Sequence, residues 1–185
     1  MTRKITTSAL MIALAVGLAL LSNVIPLKLW PNGGSITLAS MVPIIVVSIL
    51  FDLKWGLLSS LTYAGLQMLL GFYPPPVQDF QSFLLVVLLD YVLAFGVLGL
   101  AGYFYRVLGK KRWALPVSVA IVTGLRYVCH ILSGMLIWKV YAPEGQGAFV
   151  YSVTYNGTFM LPEMIISVIV VMALSKYINQ FSKER

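Results

Sequence analysis

Six apolar segments, each long enough or nearly long enough to cross a lipid bilayer, constrain this chain more than any other feature of its sequence. They run approximately from Ile5 to Ile25, Ile36 to Phe51, Trp55 to Phe72, Phe80 to Tyr105, Ala114 to Val140 and Gly157 to Ile178. Spanning hydrocarbon takes about 20 mostly apolar residues, fewer where neighbours shield the segment, and a helix satisfies its own backbone there. Composition agrees: 59% of the 185 residues are hydrophobic and 10% charged, against about 25% charged in a typical soluble domain. The mean hydropathy is +0.91. The sequence predicts an all-α integral membrane bundle of six transmembrane helices, forming one domain over residues 1–185.

Pro26, Pro31, Gly33 and Gly34 interrupt the first link, and Pro74, Pro75 and Pro76 the third, as residues that break helices should. The other links carry charge, which sets the orientation. With the amino terminus inside, ten basic residues fall on the cytoplasmic side: Arg3, Lys4, Lys54, Arg106, Lys110, Lys111, Arg112, Lys176, Lys183 and Arg185. Lys28 lies in an outer loop, Lys139 at the outer end of helix five and Arg126 within it. The positive-inside rule therefore places both termini in the cytoplasm, and the net charge of +7 reports topology and anionic lipid rather than nucleic acid. The first segment follows Arg3 and Lys4 without a small-residue cleavage site at a suitable distance, and reads as a retained helix. The single cysteine, Cys129, makes neither a disulfide framework nor a zinc pattern.

Ionisable residues at membrane depth are costly, about 2.5 to 3.5 kcal/mol at the centre by insertion scales, and need protein or water around them. Asp90, Arg126, His130 and Glu163 stand out. Asp90 and His130 both lie roughly 15 Å inside the outer ends of helices four and five, a shared depth that allows them to face the same cavity. On helix five, Arg126, His130, Gly134 and Trp138 recur every four residues and share a face. That stripe combines a cation, an imidazole, a gap for close approach and a flat ring suited to stacking on aromatic or cationic groups. Tyr151, Tyr155 and Asn156, beyond the next outer loop, add ring faces, hydroxyls and an amide at the head of helix six. Each residue also has a plainer reading: an Asp90–Arg126 ion pair holding helices together, a satisfied core histidine, interfacial anchoring for Trp138 and the tyrosines. Glu163, following Pro162, reads as a carboxylate near the start of helix six that complements the helix dipole.

These residues resemble the thiamine-specific substrate-binding components of energy-coupling factor transporters, small six-helix bacterial membrane proteins. The similarity covers nearly the whole chain. It is carried by Gly33-Gly34-Ser35, by Leu89-Asp90-Tyr91 with Ala94-Phe95, and by Leu125-Arg126-Tyr127 with His130, Ser133 and Gly134. It continues through Tyr141-Ala142-Pro143, Tyr151-Ser152 and Tyr155-Asn156. The resemblance implies that the outer ends of helices four to six hold thiamine and that the loop between helices one and two closes over it. Carried over by position, Asp90, Tyr91, His130, Gly134, Trp138, Tyr151 and Asn156 become preferred binding residues, joined by Arg126 and Tyr155. Asp90 takes the role of charge and hydrogen-bond recognition, where some relatives carry Glu. Trp30 is the candidate for an aromatic expected near the entrance of helix two.

The resemblance also implies a docking surface, for which helix one offers Ala9, Ala13 and Gly17; small residues at this spacing permit close helix packing. The implied partners are a transmembrane coupling subunit and two cytoplasmic ATPase subunits in a bacterial cell membrane. This chain has no phosphate-binding loop and needs no cofactor of its own. A binder of another vitamin is the nearest alternative. An intramembrane enzyme using His130 and Ser133 is a weaker one, since no nucleophile elbow surrounds Ser133 and one histidine makes no multi-histidine metal centre. A channel or purely structural protein leaves the mixed aromatic and ionisable cluster unexplained.

Overall fold

The computed structural model describes residues 1–24 and 34–183. The described residues contain helices and connections and no strand. Helix α1 is Thr2–Val24, α2 Val42–Leu50 and α3 Leu53–Gly71. Helix α4 is the continuous path Phe80–Val107, α5 is Ala114–Leu136 and α6 Ala148–Lys183. Four of these, α1, α4, α5 and α6, are long and apolar enough to cross a membrane. Leu10, Leu69, Phe80, Val107, Ile165 and Ile169 point outward with more than half of their surface exposed. Helices apolar on their outer faces as well as their inner ones suit lipid as solvent. The protein is a multi-pass membrane protein.

Helix α2 is the buried centre. Every residue from Val42 to Ile49 is buried, and α1, α3, α4 and α6 all pack against it. Lipid offers helices no hydrophobic reason to associate, so close backbone approach and interhelical hydrogen bonds carry much of the packing. A Cβ on Gly102 would lie 1.8 Å from the Ser48 carbonyl oxygen, and one on Gly56 2.7 Å from that of Gly99. A 3-10 turn at Val97–Leu100 interrupts the ladder of α4, and the Gly102 amide donates across to Ser48 Oγ at 2.7 Å.

The expected second segment, Ile36 to Phe51, is helical only from Val42. Pro43 fits the first helical turn, where its missing amide has no partner to lose, and the backbone before it is broken at Ala39, which is left-handed at φ 58°. Residues 34–38 form no helix and descend beside the bundle interior. Non-helical backbone at membrane depth survives only where protein or a water-filled cavity satisfies it. Here the Leu38 amide donates to Ser22 Oγ at 2.9 Å, and the Thr37 amide donates to Glu163 Oε1. The sixth helix begins at Ala148 rather than Gly157 and continues through Pro162. The fifth ends at Leu136 rather than Val140, passing into a 3-10 turn at Trp138–Tyr141. Lys28, Trp30, Gly33 and most of the first link lie outside the described residues.

One end of the bundle collects charge. Lys4 Nζ lies 2.5 Å from Asp52 Oδ2, and Arg106 donates to the Phe51 carbonyl at 3.0 Å. The start of α1, the turn between α2 and α3, and the end of α4 therefore share that end. Asp90, His130 and Tyr151 lie toward the opposite one.

Candidate functional site

Between the helices, toward the end away from Lys4 and Arg106, lies a cavity of about 530 Å³, within the range of small-molecule sites. Asp90, Tyr91, Arg126, His130 and Gly134 line it, as do Trp138, Tyr151, Tyr155 and Asn156, so the fold brings all nine predicted ligand-site residues to one space. Ala9, Ala13 and Gly17 are elsewhere: all three are exposed on α1, and a Cβ on Gly17 would meet nothing within 4 Å. Their face is turned away from the buried Ser8, Ala15 and Ser22 and is left exposed by the described residues. A second cavity of about 550 Å³, among α1, α2 and α6, is lined almost wholly by apolar side chains such as Leu14, Val46 and Leu174. It lacks the convergent polar groups that orient a polar ligand.

Asp90 sits in a π-helical turn, Val87–Leu93, inside α4. Such a turn widens the helix by one residue and is frequent at functional sites. The carboxylate is anchored from α5 and the turn after it. His130 Nδ1 is 2.9 Å from Asp90 Oδ1, Ser133 Oγ donates to Oδ2 at 2.5 Å, and Trp138 Nε1 reaches the same oxygen at 3.2 Å. Arg126 Nε donates to His130 Nε2 over a long 3.4 Å. A chain of contacts thus runs from guanidinium through imidazole to carboxylate.

No Asp90–Arg126 ion pair forms among the described residues. The guanidinium carbon of Arg126 lies 4.0 Å from the centre of the Phe95 ring, a cation–π arrangement. Nor do His130 and Ser133 form a nucleophile and base: both direct their hydrogen bonds to Asp90, and Ser133 is fully buried. Among the described residues no group of three or more His, Cys, Asp or Glu gathers to hold a metal ion.

The remaining residues divide between wall and frame. Tyr151, Tyr155 and Phe159 make a ladder along α6, with centroid separations of 5.5 and 6.4 Å, and Phe159 meets His130 edge to face at 6.1 Å. The Trp138 indole leans on Tyr73 at 5.4 Å and stacks with Tyr141. Tyr91 accepts from the Tyr73 amide at 2.9 Å and donates to the Gly71 carbonyl at 3.1 Å, tying the link after α3 to α4. Asn156 donates to the carbonyls of His130 and Ser152, holding α6 against α5. Gly134 serves that helix contact: a Cβ there would fall 2.0 Å from Ser152 Oγ, which itself donates to the Ile131 carbonyl.

Several lining residues were not among the expected ligand contacts. Gln67, Thr37, Ser40 and Tyr73 approach from α3, the non-helical segment and the proline-rich link. Phe159 was detectable, since it continues the four-residue spacing of Tyr151 and Tyr155. Glu163 continues it further and was misassigned. It does not complement a helix start, because α6 begins at Ala148, roughly 22 Å away along the axis. It is 2% exposed, lines the cavity and caps the Thr37 amide.

Residues 5–183 match the family model described as thiamine transporter protein. A relative named thiamine transporter ThiT from Bacillus subtilis (strain 168) is 36% identical over 177 residues, 90% of this chain and 86% of its own length. This chain belongs to the thiamine transporter family. The family is one of transporters rather than enzymes. A thiamine transporter ThiT from Lacticaseibacillus paracasei is 29% identical over 93 residues, covering 45% of this chain and 46% of its own. The fold is that of ThiT from Listeria monocytogenes, with a TM-score of 0.70 at 24% identity over 94% of this chain and 95% of the other. For a member of the thiamine transporter family, a cavity joining a carboxylate to aromatic walls is the feature that calls for a chemical explanation.

Proposed function

We propose that this chain is the thiamine-binding membrane component of an energy-coupling factor transporter in a bacterial cell membrane. In this reading its six helices cross the bilayer as one substrate-binding domain, with both termini in the cytoplasm, and the cavity opens outward. The observation that carries the reading is Asp90, a carboxylate oriented by His130, Ser133 and Trp138 within walls of Trp138, Tyr151 and Tyr155. Thiamine carries a permanent positive charge on its thiazolium and hydrogen-bonding groups on its aminopyrimidine. A fixed carboxylate answers the charge and donors, while aromatic faces stack on both rings.

Binding rather than chemistry is the task. Arg126 and His130 hold Asp90 electrostatically and by hydrogen bond, so its geometry is set before a ligand arrives, which lowers the ordering cost of binding. The exposed Ala9, Ala13 and Gly17 face of α1 then meets the transmembrane coupling subunit, where small side chains allow close approach. Two cytoplasmic ATPase subunits supply the energy. The test is saturable binding of thiamine by the purified chain, which should exceed that of other vitamins and fall sharply in Asp90→Ala and Trp138→Ala. Equal binding by wild type and both variants removes the site from this cavity.

A further inference from the structure

The second cavity differs from the ligand site in shape and in setting. Helices α1 and α6 each pack on α2, but no comparable contact joins α1 to α6 among the described residues. A cleft therefore opens between them, with α2 as its floor. On α1 its wall runs from Arg3 through Thr7, Met11 and Leu14 to Leu18, a spacing of three or four residues that keeps to one helical face. Leu50 and Phe51 lie in its floor near the charged end of the bundle, and Leu38 and Ala39 line its deep end. Its polar side chains, Arg3, Thr7 and Tyr177, all belong to the charged end.

Dimensions and charge decide what fits. Arg3 to Leu18 is roughly 22 Å along a helix, enough to cross one leaflet, about half of a hydrocarbon core about 30 Å thick. Spread along that length, about 550 Å³ gives a section of about 25 Å², about 5–6 Å across. A partner helix, about 10–12 Å wide with its side chains, is too broad for it, whereas a single extended hydrocarbon chain is not. The sequence assigns ten basic residues to the same end, against Asp52 and Glu184. Basic residues gathered where helices meet the membrane surface draw anionic headgroups, and a guanidinium matches a phosphate with two parallel hydrogen bonds.

We propose that the cleft between α1 and α6 binds one acyl chain of an anionic phospholipid, with the phosphate beside Arg3 and the chain lying over α2 as far as Leu18 and Leu38. This lipid is held individually, unlike the bilayer lipid that touches the outer helix faces. Its chain supplies the contacts that α1 and α6 do not make with each other. The site is separate from the stripe of small residues, since Ala9, Ala13 and Gly17 fall about 120° around α1 from the residues that line the cleft.

The experiment extracts the full chain from vesicles of equal parts phosphatidylglycerol and phosphatidylcholine, and follows its retained lipids by native mass spectrometry under rising collisional activation. Wild type should keep one lipid after the others are stripped, phosphatidylglycerol over phosphatidylcholine by about fivefold. Arg3→Gln should narrow that preference to about twofold or less. Leu14→Trp, which puts an indole into the cleft, should lose the lipid, whereas Leu69→Trp, on an exposed face of α3, should keep it. Should Leu14→Trp not fold, Leu174→Trp on the opposite wall gives the same reading. The proposal is overturned by a wild type that keeps no single lipid, which would leave the cleft to a partner's side chains, or that keeps both lipids equally. Retention by a folded Leu14→Trp, or an unchanged preference in Arg3→Gln, overturns it as well.

Discussion

His130 and Asp90 meet across the α5–α4 interface with Nδ1 and Oδ1 2.9 Å apart, and the same imidazole takes a proton donor from Arg126 on its other nitrogen. The orientation of the carboxylate is thus built from a different helix than the one that bears it. Changing His130 to Ala should weaken ligand binding even where the ligand never contacts the imidazole. We expect about a 10- to 100-fold loss of thiamine affinity, consistent with a charge-assisted hydrogen bond of about 1.5–3 kcal/mol. Quenching of tryptophan fluorescence is a suitable readout, since Trp138 lines the cavity.

Gly134 gives a packing prediction. A Cβ at this position would lie 2.0 Å from Ser152 Oγ and 2.8 Å from its Cβ, so Gly134→Ala forces α5 and α6 apart. The expected destabilisation is about 1–3 kcal/mol, typical of overpacking. Combining it with Ser152→Gly should recover part of the lost thermal stability, because contacting sites are not additive. Destabilisation by Gly134→Ala that is the same with and without Ser152→Gly would place the strain elsewhere.

Under the proposed docking, the exposed stripe on α1 should serve transport and not binding. Ala13→Leu should leave thiamine affinity of the purified chain within about twofold of wild type, since the position faces away from the cavity, yet abolish uptake by cells that carry the partner subunits. A matching loss of affinity would show that this face serves the fold instead.

At the other end of the bundle, Asp52 caps α3 by accepting from the Trp55 amide at 3.0 Å. Its hydrogen bond from Lys4, together with the Trp55 amide, holds its carboxyl below the ordinary carboxylate value. A depressed folded-state pKa contributes stability that is complete above the unfolded value of about 4 and fades as pH falls through the folded value. Thermal unfolding should therefore show an acid-side loss below about pH 4 that is smaller in Asp52→Asn. Asparagine keeps the helix cap and loses only the charge pairing with Lys4, so Asp52→Asn should cost less at neutral pH than Asp52→Ala, which should cost about 0.5–2 kcal/mol.

The sequence exposed those parts of the site whose residue types are out of place at their depth. Asp90, Arg126 and His130 are conspicuous inside apolar helices, and helical spacing was enough to align Arg126, His130 and Gly134. Trp138 reaches the cavity for another reason, because the α-helix ends at Leu136 and a 3-10 turn carries the indole back. Tyr151 to Asn156 were legible as site residues but not as helix: their polarity suggested the head of a helix starting at Gly157, when it marks the cavity-facing side of one starting at Ala148. Residues 36–41 were hidden by the opposite error. They are apolar enough to read as helix, and only the long-range acceptors Ser22 and Glu163 make their non-helical backbone tolerable. No local pattern announces a partner 126 positions away.

The π-helical turn at Val87–Leu93 makes the site sensitive to length as well as to identity. One surplus residue in that turn sets the phase of everything before it, about 100° per residue in a regular helix. Deleting a single residue such as Leu88 would return the segment to an ordinary ladder and keep every polar side chain of the site, yet swing part of α4 around its axis relative to His130 and Ser133. The position of the acid is thereby encoded by a count, and a one-codon deletion beside Asp90 should be as damaging as replacing Asp90 itself.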